Sequence, residues 1–582
     1  MITFLSLLLA CGEPETNKSQ AAEPEVASTA GVVDLPLLRV EQPERASFDT
    51  SAGGPITGQV ASGTSPIAKV LVNGEVVGTE RDGSFSQQVT WEPGIQLIGV
   101  RVEDEGGERA VDGRAIQAGP VNGPGQWLPG ALRLEVDASI LDDDDAEIDD
   151  IAALLQAALE DSSTLDMVLD TSLDVSGFTI TPTALNYEWA DVDLIAGNGV
   201  IQVEVMLNEV DLSFDVTGSG VFGWVSISGT AQADFAEIGT EVSVRTVSGT
   251  ITTQPVWVEA DLEGFTLSVD WFPDGLEDEL AGWTEGLLED SVVDMATSVI
   301  GDTVEGALQA FVVELELGDG MEMEAALGAM EVVPNAVRFE IDTRIAALDG
   351  MDIPSNAGSL KTSGVAPDWP LTDGARLGAA VDDDFINQLA FAFWQSGMLK
   401  DVTMPGIAIG GMAGTALPAP LGPAETVTLN LDLPPIAQPP RDAAFDADIS
   451  IGEWRLKFER TDGEILEFSV NLRTALNADI REAGNLEVAL DDRPAHIDLE
   501  IGVLEAPEAI DPGDLAALLR LMIPPLIGNS AELVPVIPIP TVPMGELVDI
   551  PAASDLSIGV TDPEMTFTAA GWLLLQADLS VQ

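Results

Sequence analysis

The sequence predicts an α+β protein, with an N-terminal all-β sandwich followed by a larger body in which antiparallel strands are interrupted by amphipathic helices. Three observations predict it. Across residues 35–118, short alternating runs are cut by turn pairs. Beyond Ala131 the alternation lengthens, as in Ile201, Val203, Val205 and Leu207. Apolar residues at helical spacing then break into the strand pattern at several places.

Residues 1–10 contain an apolar run, Ile2 to Leu9, that ends on a small residue before polar, acidic sequence. This is the outline of a secretory signal and its cleavage point. Cys11 follows, the only cysteine among 582 residues. A single thiol forms no internal disulfide and no thiolate metal cage. Leu8-Leu9-Ala10-Cys11 resembles the lipobox of bacterial lipoproteins, although "MITF" supplies no basic residue ahead of the apolar run. The resemblance implies that Cys11 is a lipid anchor. It also implies that Gly12, standing where Asp would retain the protein at the inner membrane, sends it to the outer membrane, on the periplasmic or the cell-surface face. Residues 11–34, rich in Glu, Ala, Ser and Pro, read as a flexible tether. No later stretch approaches the ~18 consecutive apolar residues of a spanning helix, so a soluble, tethered body is expected.

In residues 35–118, Asn73-Gly74 joins two alternating runs, a strong hairpin signal, and Asp82-Gly83 and Pro93-Gly94 punctuate the strands that follow. The stretches "VLVNGEVV", "DGSFS" and "LIGVRVEDEGG" resemble bacterial immunoglobulin-like modules, which implies a spacing or adhesive unit. A spacer is expected. Residues 119–130, "GPVNGPGQWLPG", read as a linker.

The body divides into residues 131–346 and 347–582. In the first half, Val210, Leu212, Phe214 and Val216 continue the apolar face of the preceding strand after a one-residue phase change, which implies a bulge or turn. Gln202, Glu204 and Asp211 lie on the wet face. A helix is expected from Asp144 to Glu160, with Ile151, Leu154, Leu155 and Leu159 on one stripe, and a longer helical set runs from Leu276 to Leu308. The second half repeats the order: a helix from Asp382, strands through "FDADISIGEWRLKFER" and "ILEFSVNLRTALNADI", a helix "DPGDLAALLRLMIPPLIG", and a closing strand pair.

Composition bounds the chemistry. With 99 Asp and Glu against 23 Lys and Arg, the formal net charge is −76, a field that repels nucleic acid and anionic headgroups. Yet 46% of residues are hydrophobic, enough to build cores rather than a disordered acidic chain. His496 is the only histidine, so a Ser-His-Asp triad or a histidine zinc site has a single residue to rest on, and a satisfied strand histidine is the plainer reading. The run "LDDDDAEIDD" lacks the central glycine of an EF-hand loop and reads as helix capping, as do Asp382, Asp383 and Asp384. No cofactor, metal or enzymatic motif is expected, and no protein partner is indicated.

"VDDDFINQLAFAFWQSGMLK" (381–400), "VIPIPTVPMGEL" and "TDPEMTFTAAGWLLLQADL" resemble the C-terminal barrel of the bactericidal/permeability-increasing and lipopolysaccharide-binding protein family, the tubular lipid-binding (TULIP) superfamily. The resemblance implies two tandem barrels of twisted antiparallel sheet wrapped around long helices, with acyl chains held between helix and sheet. It does not extend to that family's basic tip or disulfide, since this chain is acidic throughout and has one cysteine. The expected function is therefore noncatalytic binding of lipid or another apolar small molecule by a membrane-anchored lipoprotein. By position, the lining candidates are Trp283 and Leu287 in the first half and Phe385, Leu389 and Phe393 in the second. The alternative is a structural or adhesive surface lipoprotein whose barrels are filled by their own side chains, as an ordinary core would be.

Overall fold

Strands, not helices, account for most of the architecture. The computed structural model describes residues 35–581 apart from 144–149, 161–171, 176–177, 221–222, 248, 270–280, 283, 287–307, 309–319, 363, 373, 413–416, 423, 482–484, 508–509, 531–536, 539–541 and 544–556. Cys11, the tether, Trp283, Leu287 and most of the Leu276–Leu308 set lie outside the described residues.

The N-terminal unit is two facing sheets. Leu37–Gln42, Gly53–Ala61 and Ser84–Thr90 form one, and a five-stranded sheet that includes Ile67–Val72, Gly94–Asp104 and Arg109–Ala118 forms the other. Ile56 and Phe85 from the first meet Val70, Val72, Ile98 and Ile116 from the second in a shared core. At the expected hairpin, Asn73 (φ 50°) and Gly74 (φ 83°) are both left-handed while Val72 pairs with Glu75, the primed turn that matches strand twist.

This unit is clamped to the second half and does not stand off as a spacer. Glu453, fully buried and itself at φ 51°, accepts from Ala115 N at 2.7 Å, from Ser469 Oγ at 2.8 Å and from Arg45 Nη1 at 3.2 Å. Beside it the backbones touch, since a Cβ on Gly502 would lie 2.4 Å from the carbonyl oxygen of Gly113. Only glycine allows that approach.

In the first half, Val200–Gly220 pairs from end to end with residues 223–243 of Gly223–Val247, and the two are flanked by Phe178–Asn186, Trp189–Ala196, Thr250–Glu263 and Thr266–Val269. The phase change falls at Glu209, whose φ is 52°. Asn208 faces Phe235 and Val210 faces Ala233, so the register is the same on both sides. Both strands change phase together, and their buried faces stay matched. Helix α1 (Ile151–Glu160) sends Leu154, Leu155 and Leu159 into this core. It begins later than the sequence implies, with Asp150 Oδ1 accepting from Ala153 N at 2.7 Å as an N-cap does.

A central seven-stranded sheet draws strands from across the body, in the order Met321–Val333, Ala336–Ala347, Leu128–Asp137, Leu377–Asp382, Trp572–Val581, Ser557–Phe567, Val542–Pro543. Helix α2 (Asp383–Gln395) packs against it. The second-half sheet is built on Ala447–Arg460 and Ile465–Arg481, with α3 (Gly406–Met412) and α4 (Pro512–Ser530) beside it. Leu515, Leu519, Met522 and Ile523 of α4 fill its core with Phe458 and Phe468.

The expected α+β class, two barrels wrapped around long helices, is therefore corrected. Among the described residues the body is mainly β, its sheets are open paths, and the helices described from end to end have 10, 13, 7 and 19 residues, with residues 281–282, 284–286 and 308 helical as well. Much of the apolar sequence lies in two strands of 21 and 25 residues, and the helices described in full are short and lie against sheets. The 19-residue helix carries Pro524 and Pro525, each of which removes a backbone donor. No described helix is long and apolar enough to cross a membrane, which says nothing of strands.

Candidate functional site

Helix α2 carries three of the expected lining residues, and they sit together. Phe385 and Phe393, 7% and 2% exposed, pack with Leu128, Ala131, Met321 and Ile345, and half-buried Leu389 lies against the same cluster. On another face, Phe391 and Trp394 meet Phe48 and Ile95 of the N-terminal unit and Leu433 of the second half. The polar residues between these faces are buried as well. Asn387 exchanges two hydrogen bonds with the backbone of Ala437, at 2.9 and 3.1 Å, in place of a strand neighbour. Gln388 accepts from Ile345 N at 2.9 Å and donates to Gln126 O at 2.6 Å. Trp394 Nε1 donates to Leu431 O at 2.7 Å. The helix is a strut gripped on all sides, its amides satisfying strand ends that water would otherwise reach.

Its N-terminus gathers three carboxylates with oxygens within 4.8 Å of one another, close enough for a hard cation to bridge. Asp382 is the N-cap, accepting from Asp384 N at 3.0 Å. Asp384 accepts from Thr362 N at 2.6 Å and Asn122 Nδ2 at 3.1 Å. Asp383 is fully buried; Oδ1 accepts from Thr362 Oγ1 at 2.6 Å, and Oδ2 meets no donor among the described residues. Burial first, then the neighbouring Asp382 and Asp384, pushes its carboxyl up to about 8. Burial also raises Asp382.

The first-half sheet offers two contrasting faces. Inward residues of the middle strands, including Ile201, Val203, Val205 and Ile238, are fully covered. Toward the Thr250–Glu263 edge cover thins: Val258, Ala260, Leu262, Leu267 and Val269 point the same way, opposite Thr240, Ile238, Ala236, Ala231 and Gly229, yet are only half-buried. The outward face mixes carboxylates with large apolar groups. Trp189 is 39% exposed, Met206 38%, Phe235 40% and Trp257 44%. Sequence reasoning treated this face as merely wet. The available signal was an apolar residue recurring at a polar phase of the alternation.

A cleft of about 840 Å³ lies between the Gly94–Asp104 strand and the second half, lined by Ile95, Leu97, Arg473, Leu499, Glu500 and Arg520 among others. Its arginines are engaged, Arg473 with Asp448 and Arg520 with Glu500, each at 2.8 Å. His496 stands outside it, with Nδ1 bonded to Asp491, which also binds Arg493, and its ring edge-on to Phe445 at 5.3 Å.

No protein-family model matches the sequence, and no curated protein does. Among solved structures the chain is similar to a lipopolysaccharide binding protein, at 11% identity and a TM-score of 0.39 over 79% of this chain and 99% of that one. It is similar to P47 of Clostridium botulinum E1, at 8% identity and a TM-score of 0.25 over 79% and 100% of the two chains. A Bacteroides ovatus protein of a mixed-linkage glucan utilization locus, solved with a heptasaccharide, aligns at 11% identity and a TM-score of 0.12 over 54% of this chain and all of that one. Likenesses at such TM-scores identify neither a ligand nor a partner for this chain.

Proposed function

We propose that the chain is a noncatalytic lipoprotein of the bacterial outer membrane, anchored through Cys11, that holds an acyl chain or similar apolar group against the inward face of its first-half sheet. The supporting observation is the gradient of cover across that face, from fully buried Val203 and Ile238 to half-buried Val258, Leu262 and Leu267. An apolar strip continuous with a core but incompletely covered by it, among the described residues, is what a lipid needs. Each methylene buried there is worth ~0.8 kcal/mol. Trp283 and Leu287 stay candidates for the same ligand on sequence grounds.

Native mass spectrometry of protein purified without detergent tests the reading. A lipid-sized adduct is expected on the wild type and its loss on Leu262→Glu, which puts a carboxylate into the strip. A bare wild-type mass, from protein whose fold circular dichroism confirms, overturns it. The anchor is tested separately. Cys11→Ser should end labelling by a radioactive fatty acid, and persistent labelling rejects Cys11 as the attachment site.

A second reading, a structural or adhesive surface lipoprotein with self-filled sheets, draws on α2. Phe385 and Phe393 are enclosed by protein, the packing that this reading expects of the helix.

A further inference from the structure

The outward face of the first-half sheet is a four-strand block whose register fixes every neighbour. Trp189, Asn208, Phe235 and Glu263 stand side by side, and in the next row Asp191, Met206, Glu237 and Asp261 do. Two further rows complete the block: Asp193, Glu204, Gly239 and Glu259, then Ile195, Gln202, Glu241 and Trp257. Every charged residue in it is acidic. The first basic residue along the Gly223–Val247 strand is Arg245, beyond Glu241.

Two features set this face apart from a generally acidic surface. Carboxylates stand directly opposite one another at Asp193 and Glu204 and at Glu237 and Asp261, positions where like charges cost stability. Large apolar groups are interleaved with them, Phe235 beside Glu263 and Met206 between Asp191 and Glu237. Trp257 lies over Gly239, where a Cβ would come 3.0 Å from the ring, so the indole presents a flat face and stays 44% exposed. Covering that glycine accounts for the pose of Trp257; it does not account for Phe235, Met206 or the opposed carboxylates. A cation set over such rings gains from the ring quadrupole as well as from the carboxylates.

We propose that this face docks a basic, amphipathic polypeptide segment, its Lys and Arg side chains meeting Glu237, Asp261, Glu204 and Glu259 and its apolar side chains meeting Phe235, Met206 and Trp257. Charge complementarity selects the partner: nucleic acid and bare anionic headgroups are repelled by the same carboxylates. This inference is independent of the lipid reading, which concerns the opposite face.

Titration calorimetry of the full chain with a synthetic helical Lys/Leu amphipathic peptide tests it, with polylysine of equal charge as the charge-only probe. The amphipathic peptide should bind more tightly than polylysine. Phe235→Ser and Glu237→Lys should each weaken it by about tenfold or more. Glu237→Lys also turns the opposed pair with Asp261 into an attractive one, so its thermal midpoint should rise while binding falls, which a merely structural role for Glu237 does not produce. Equal binding of both probes, or binding indifferent to both substitutions, overturns the proposal in favour of nonspecific attraction. Binding of phosphatidylglycerol vesicles with calcium that is lost in Phe235→Ser, with peptide binding unchanged, assigns the face to a membrane and overturns it too.

Discussion

Asp383 shows how much a residue's role depends on what the rest of the chain brings to it. In sequence it is one of three carboxylates before a helix, and capping is the natural reading; Asp382 does cap. Nothing local shows that Thr362 and the Gly571 carbonyl, distant in sequence, enclose the next residue until it is fully buried. Burial raises its carboxyl from the ordinary 3.8 to about 8, so between those values the folded chain keeps a proton that the unfolded chain releases. Stability from this group is then present below about pH 4 and is lost as pH rises toward 8, by up to ~1.4 kcal/mol per pH unit. Asp383→Asn, which keeps the shape and stays neutral, should flatten that slope and stabilise the protein at pH 8. Urea midpoints at a series of pH values read it out, and an unchanged slope means that Asp383 is ionised in the fold. The Asn73-Gly74 turn, by contrast, was fully legible, because a left-handed pair is specified by the two residues that adopt it.

At the scale of elements, periodicity locates α2 but not its surroundings. Phe385, Leu389 and Phe393 form a stripe, and nothing in the sequence says what Asn387 and Gln388 meet. The structure uses those amides as backbone substitutes against Ala437, Ile345 and Gln126, so a helix polar on one face in sequence is dry on both. Periodicity records side-chain polarity and not whether a polar atom finds a partner. Phe393→Ala should therefore behave as a core truncation, costing ~3–5 kcal/mol. The cost should be the same in protein as purified and in protein extracted with organic solvent to remove lipid. A small loss that grows on extraction would instead make Phe393 part of a ligand wall. The long strands were legible for the opposite reason: an alternation sustained from Ile201 to Val216 has one dry face whatever lies across from it, and even the break at Glu209 shows as a shifted phase.

At the scale of the molecule, the central sheet decides the architecture, and it was the least legible part. Leu128–Asp137 lies between Ala336–Ala347 and Leu377–Asp382, and the C-terminal Trp572–Val581 pairs with Leu377–Asp382. Pairings between strands hundreds of residues apart leave no local signature, so the expectation of helices threaded through barrels had nothing in the sequence to contradict it. Net charge is a whole-molecule property that can be read without the fold, and the fold shows where it is stored. At −76, and with carboxylates opposed at Glu237 and Asp261, the native state holds like charges nearer to one another than the unfolded chain does. Added NaCl shortens the screening length from ~30 Å at 0.01 M to ~8 Å at 0.15 M and should relieve that repulsion more in the folded state. The thermal midpoint should rise steeply over this range and level off beyond it, each kcal/mol relieved appearing as ~2–4 °C in a unit of roughly 150–250 residues. Glu237→Lys, with one opposed pair already relieved, should show a shallower rise than the wild type under the same salts. A wild-type midpoint that falls steadily with NaCl would mean that its ion pairs, such as Arg45 with Glu453, outweigh the repulsion and that the acidic surface carries no stability cost.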